Sequence, residues 1–119
     1  SIESKTNYFA TASTKEARGS VVNTFKFLRR FFSGQEAAPV LFEQVIAALE
    51  LLSEDTTNRD FLEKVLQVQI LLELGYVDRG VVPPSIAGNS LASIAGQYDS
   101  SIQKQLETLL EKAIATSHL

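Results

Sequence analysis

The chain has no cysteine, and its single histidine, His118, stands one place from the C-terminus. Without thiols there is no disulfide, no cysteine-ligated zinc or iron–sulfur cluster, and no cysteine nucleophile. One imidazole at a chain end leaves no histidine pair for a metal and no buried catalytic triad. Glycine and proline are scarce, at 6 and 3 residues, too few for a low-complexity chain. No Gly-rich phosphate loop, paired-carboxylate setting or nucleophile motif stands out. We therefore expect no enzyme, no metal, no cofactor and no small-molecule substrate. No run approaches 18 unbroken apolar residues, so no transmembrane span is expected, and no basic stretch precedes an apolar run as it does in a secretory signal. Methionine is absent as well, from which we expect a chain that begins inside a longer product or has been trimmed.

What is present suits a globular domain. The chain has 119 residues, 45% of them hydrophobic and 21% charged. A chain of this length buries about two-thirds of its unfolded surface, so a core needs no covalent staple. The formal net charge is −3, and it is unevenly spread. Residues 1–34 hold six of the eleven bases and two of the fourteen acids, a net +4. Residues 35–119 hold the remaining five bases and twelve acids, a net −7. A basic head sits on an acidic body.

Four segments show helical periodicity. The first is expected from about Thr14 to Phe32, opened by a capping box of Ser13 and Glu16. Ala17, Val21, Thr24, Phe25, Leu28, Phe31 and Phe32 form its apolar stripe, and Ser33-Gly34 ends it. Gly19 and Ser20 weaken its early turns. Tyr8, Phe9 and Ala12 belong either to an extra N-terminal turn or to a separate short element. The second helix starts near Pro39, whose missing N–H costs nothing at that position. Leu41, Phe42, Val45, Ile46, Leu49 and Leu52 make its stripe, with Glu43, Glu50 and Glu54 opposite. Asn58 is the expected cap of a third helix that runs to Leu74 and stops at Gly75. Its middle, Val65 to Leu72, is apolar nearly all round, the pattern of a central buried helix.

Residues 77–100 read as an irregular insert. Pro83 and Pro84 disfavour helix in the residues before them, and Gly88-Asn89-Ser90 caps a short helical piece through Ile94, closed by Gly96. A last helix is expected from about Ser101 to Thr116, with Ile102, Leu106, Leu109, Leu110, Ala113 and Ile114 inward. No alternating strand of useful length occurs. The expected fold class is all-α: one helical domain over residues 1–119, an irregular bundle of four main helices with a Pro/Gly-containing segment before the last.

The first helix offers the candidate site. With Lys15 at about 0° on a helical wheel, Arg18 falls at about 300°, Lys26 at 20°, Arg29 at 320° and Arg30 at 60°. These five bases share a sector of about 120°, and the apolar stripe lies at about 160–280°. Phosphate is the ligand that such a face suits, because guanidinium forks phosphate oxygens and each neutralised phosphate releases counterions. The plainer reading is a solvated face paired with Glu43, Glu50 and Glu54 of the next helix. Single-sign charge goes beyond what solubility asks for.

The run Phe61-Leu62-Glu63-Lys64-Val65-Leu66-Gln67-Val68-Gln69-Ile70-Leu71-Leu72-Glu73-Leu74-Gly75-Tyr76-Val77 resembles a helix of the recombination mediator RecO, with its Leu-Gly-Tyr stop. Phe27-Leu28-Arg29-Arg30-Phe31-Phe32, the helix Leu41 to Leu52 and the closing Ala113 to Leu119 are similar to the family in the same order. The likeness spans most of residues 20–119. It implies the C-terminal helical domain of a DNA repair protein, cytoplasmic and associated with the nucleoid, with an N-terminal OB-fold upstream of Ser1. It further implies binding and annealing of single- and double-stranded DNA, and work with RecR and single-stranded-DNA-binding protein to load a recombinase. Many family members carry a four-cysteine zinc module after the Leu-Gly-Tyr stop. Here Val77 to Gly96 has no cysteine, so no zinc is implied. The alternative is a helical protein-interaction or assembly module that binds no DNA.

Overall fold

The computed structural model describes residues 14–32, 39–54 and 57–117. Five α-helices lie among them: α1 (Lys15–Phe31), α2 (Pro39–Leu52), α3 (Arg59–Glu73), the one-turn α4 (Leu91–Ile94) and α5 (Ser100–Ser117). A 3₁₀ turn, Arg79–Val81, lies between α3 and α4. No strand occurs among the described residues, and the architecture is an all-α bundle of four main helices. None of the described helices is long and apolar enough to cross a membrane.

The bundle is organised around α3. Phe61, Leu62, Val65, Leu66, Val68, Ile70 and Leu71 are all buried, and they occupy more than one face of the helix. Such a helix needs neighbours on several sides, and α3 has them, packing against α1, α2, α4 and α5. It ends as its sequence predicts. Gly75 takes φ +83°, and the N–H groups of Tyr76 and Gly75 return to the carbonyls of Leu71 (2.9 Å) and Leu72 (3.2 Å). This pair of bonds is the Schellman stop, which satisfies the last carbonyls of a helix. Its start differs from expectation. Asn58 occupies the cap position, but its backbone is left-handed and its side chain caps nothing. Within the helix, Lys64 donates to Asp60 at 2.7 Å, one turn apart.

The first helix is capped one residue later than the Ser13–Glu16 box predicts. Thr14 Oγ1 accepts from the Ala17 N–H at 3.0 Å, and Ser13 lies outside the described residues, as do Tyr8, Phe9, Ala12, Gly34 and His118. The buried face of α1 is Ala17, Ser20, Val21, Thr24, Phe27, Leu28 and Phe31. Phe27 therefore replaces Phe25 in the expected core, and Phe25 and Phe32 are only half-buried. The arc that meets α3 runs from about 120° to 240° on the wheel. It takes in the small polar residues Ser20 and Thr24, and leaves Phe25 and Phe32 at its edge. Thr24 satisfies its hydroxyl on the Ser20 carbonyl at 2.9 Å.

In α2 the expected stripe is too wide. Leu41, Val45, Ala48, Leu49 and Leu52 are buried, whereas Phe42 and Ile46 keep 43% and 41% of their surface exposed. Two contacts fix α1 and α2 as antiparallel. At one end the rings of Phe32 and Phe42 meet edge to face, 5.3 Å apart. At the other, the half-buried Arg59 guanidinium donates to Ser20 Oγ (3.0 Å), to the Leu52 carbonyl and to the Glu54 carbonyl (2.7 Å). One cation thus caps the C-terminus of α2, where the helix dipole is negative, and ties three helices together.

Residues 77–100 are irregular in backbone yet belong to the core, because Val82, Ile86, Leu91 and Ile94 are buried in it. Gln69 of α3 holds this segment through the carbonyls of Ile86 (3.1 Å) and Asn89 (2.7 Å). Ser90 caps α4 through the Ser93 N–H. Asp99 opens α5 by accepting from the N–H groups of Ser101 (2.8 Å) and Ile102 (3.2 Å). Leu106 and Leu110 seat α5 on the core.

Candidate nucleic-acid interface

The five cations picked out on the first helix, Lys15, Arg18, Lys26, Arg29 and Arg30, are all exposed. Helix α1 places them on the side turned away from α3, since its buried arc is centred opposite their sector. Arg30 differs from the rest. Its Nε donates to Ser117 Oγ at the end of α5, 3.1 Å away, so it helps to dock the last helix. The other four form no ion pair with any described carboxylate. Glu43 and Glu50 on α2 and Glu54 just past its end, the expected neutralising partners, are exposed and form no ion pair with these four.

Position along the helix separates a functional from a merely stabilising role. Arg29 and Arg30 lie in the last turn of α1, where cations are favoured by the helix dipole. Lys15 and Arg18 lie in and just after the first turn, where a cation opposes that dipole by a few tenths of a kcal/mol up to about 1 kcal/mol. Helix stability explains the first pair and not the second. From Lys15 to Arg29 the stripe runs about 21 Å at 1.5 Å per residue, a length that faces about six phosphates of one duplex strand.

Two uncharged residues share the stripe. Val22, at about 340° on the wheel, is 36% exposed. Gly19, at about 40°, has nothing within 4 Å of where a Cβ would stand. No neighbour in the fold requires glycine at that position. The sequence reading passed over both as interface elements, although their wheel angles alone put them among the bases.

Elsewhere among the described residues, two clefts stand out. One of about 420 Å³ lies between α2, α3 and the segment before α4, with Glu43, Glu73 and Arg79 on its wall. The other, of about 350 Å³, is formed by Tyr76, Val81 and the end of α5. Tyr76 crosses to the end of α1, donating to the Phe31 carbonyl at 3.0 Å and packing edge-on to that ring. It does fold back toward the core, but it stays 54% exposed. Among the described residues no three acidic or imidazole side chains cluster in a way that would hold a metal ion.

No family model matches the chain, and no curated protein or solved structure matches it either.

Proposed function

We propose that this is the DNA-contacting helical domain of a recombination mediator of the RecO kind, in which α1 lies along a phosphate backbone. The observation that carries the reading is the row of four outward cations on α1, Lys15, Arg18, Lys26 and Arg29, without described carboxylate partners. Phosphate contacts of this sort supply affinity and orientation with no base specificity, which is what annealing and loading of a recombinase require. The Leu-Gly-Tyr stop and the order of the helices support the family. They also carry the proposed setting: the cytoplasm and nucleoid, an upstream OB-fold, and RecR and single-stranded-DNA-binding protein as partners. The domain performs no bond-making chemistry in this reading.

Charge reversal tests it. The Arg18→Glu/Arg29→Glu double variant is expected to lose at least tenfold in affinity for single-stranded DNA, about 1.4 kcal/mol, with an unchanged far-UV helix signal. Equal affinity of wild type and variant would show that the stripe is only a solvated face. The second reading, a protein-interaction module, is favoured by the exposed Phe42 and Ile46 beside the stripe.

A further inference from the structure

We propose that two copies of this chain pair through the α1–α2 face, α1 of each lying antiparallel along α2 of the other, and that this pairing covers Arg18 and Arg29, two of the four cations that take DNA. The pairing stands on its own geometry; the competition with DNA rests on the proposed function.

The argument starts from how the two helices share one surface. On α2, with Glu43 at about 0°, Phe42 falls at about 260°, Ile46 at 300° and Glu50 at 340°, and Glu54 follows two residues past the end of the helix. The contact between Phe32 and Phe42 sets the 260° side of α2 toward α1. On α1 the matching side holds Phe32 at about 260°, then Arg18, Arg29 and Val22 at about 300–340°. Across the face there is therefore a basic rail, an apolar trough and an acidic rail. Phe42 and Ile46 keep about two-fifths of their surface open in that trough. Large apolar side chains in a row between charged rails mark an interaction surface.

The charges select the occupant. An acidic rail beside exposed Phe and Ile calls for a basic amphipathic helix, and α1 of a second copy is one. A two-fold axis parallel to the helices, set between two facing molecules, places α1 of each over α2 of the other. The alternative two-fold, perpendicular to the helices, stacks basic rail on basic rail and is repelled. The register also agrees. Phe42 sits at the level of Phe32, and Glu54 at the level of Ser20, through Arg59. At 1.5 Å per residue, Arg29 then comes within about 3 Å of the level of Glu43, and Arg18 within about 3 Å of Glu54. The symmetry makes each pair twice, which is the self-complementarity that a closed dimer needs. Neither Glu43 nor Glu54 pairs with a described cation of its own chain.

Sedimentation velocity of the full chain, without DNA, tests the pairing. The wild type is expected to shift from monomer to dimer over the micromolar range, less so as salt rises. The Arg18→Glu/Arg29→Glu and Glu43→Arg/Glu54→Arg variants should each remain monomeric, and their equimolar mixture should form a heterodimer, because each reversed rail then meets its complement. A wild type that is monomeric throughout, as when another part of the chain covers the trough, overturns the pairing. So does a mixture that stays monomeric. Ile46→Gln adds no charge and removes an apolar contact. It is expected to weaken the dimer about tenfold and to raise apparent DNA affinity. A dimer lost with DNA affinity unchanged or lowered overturns the competition and leaves the pairing standing. A wild type that dimerises yet binds no DNA overturns the proposed function and not the pairing.

Discussion

Helices α1 and α3 are of similar length, yet they spend their surfaces differently. α3 buries residues on more than one face and packs against every other described helix, whereas α1 buries one arc and turns five cations outward. A helix packed on several sides has little surface left over for a partner, so what α3 chiefly contributes is stability. A helix with one packed arc retains a side that can be occupied without disturbing the core. Function is therefore to be sought on α1 and along its border with α2, and the two helices should respond to mutation in opposite ways.

The largest effect is expected from α3. Leu66→Ala removes a fully packed side chain and should cost about 2–5 kcal/mol in urea unfolding. DNA affinity should be kept under conditions where the variant is folded. Next comes the joint between the two helices. Arg59→Ala strips the caps from Leu52 and Glu54 and the partner from Ser20, for an expected loss of about 1–3 kcal/mol, read from the same unfolding curve. Gly19→Ala on the outward side of α1 meets no neighbour and should stabilise by about 0.5–1 kcal/mol. If DNA affinity falls in that more stable variant, the glycine is kept so that a phosphate can come close to the backbone. Ile46→Gln, on the exposed border, should change stability by less than about 0.5 kcal/mol. A loss as large as that of Leu66→Ala would mean that Ile46 belongs to the core and that the trough is no surface at all.

The sequence discloses those features that one helix decides for itself. The enclosed character of α3 shows in the stretch from Val65 to Leu72, apolar except for Gln67 and Gln69, its stop in Gly75, and the short α4 in Ser90 before Leu91. The outward bases of α1 are equally plain, because charge avoids a packed arc whatever the neighbour. Features decided by a second helix were harder to read. Whether Phe25 or Phe27 enters the core depends on where α3 touches α1, and hydrophobicity alone pulls the centre of the arc toward Phe25 and Phe32. The apolar arc of α2 is too broad for one neighbour, so only the packed arrangement shows that Phe42 and Ile46 form the edge left uncovered. Arg59 acts across three elements and has no local pattern. The cap at Thr14 in place of Ser13 is a choice between adjacent hydroxyl residues that periodicity does not resolve.

The salt dependence of DNA binding tests the central claim most directly. If Lys15, Arg18, Lys26 and Arg29 each neutralise a phosphate, the logarithm of the binding constant should fall against the logarithm of salt concentration with a slope of about −3 to −4. A slope near zero, or no binding at low salt, would contradict it.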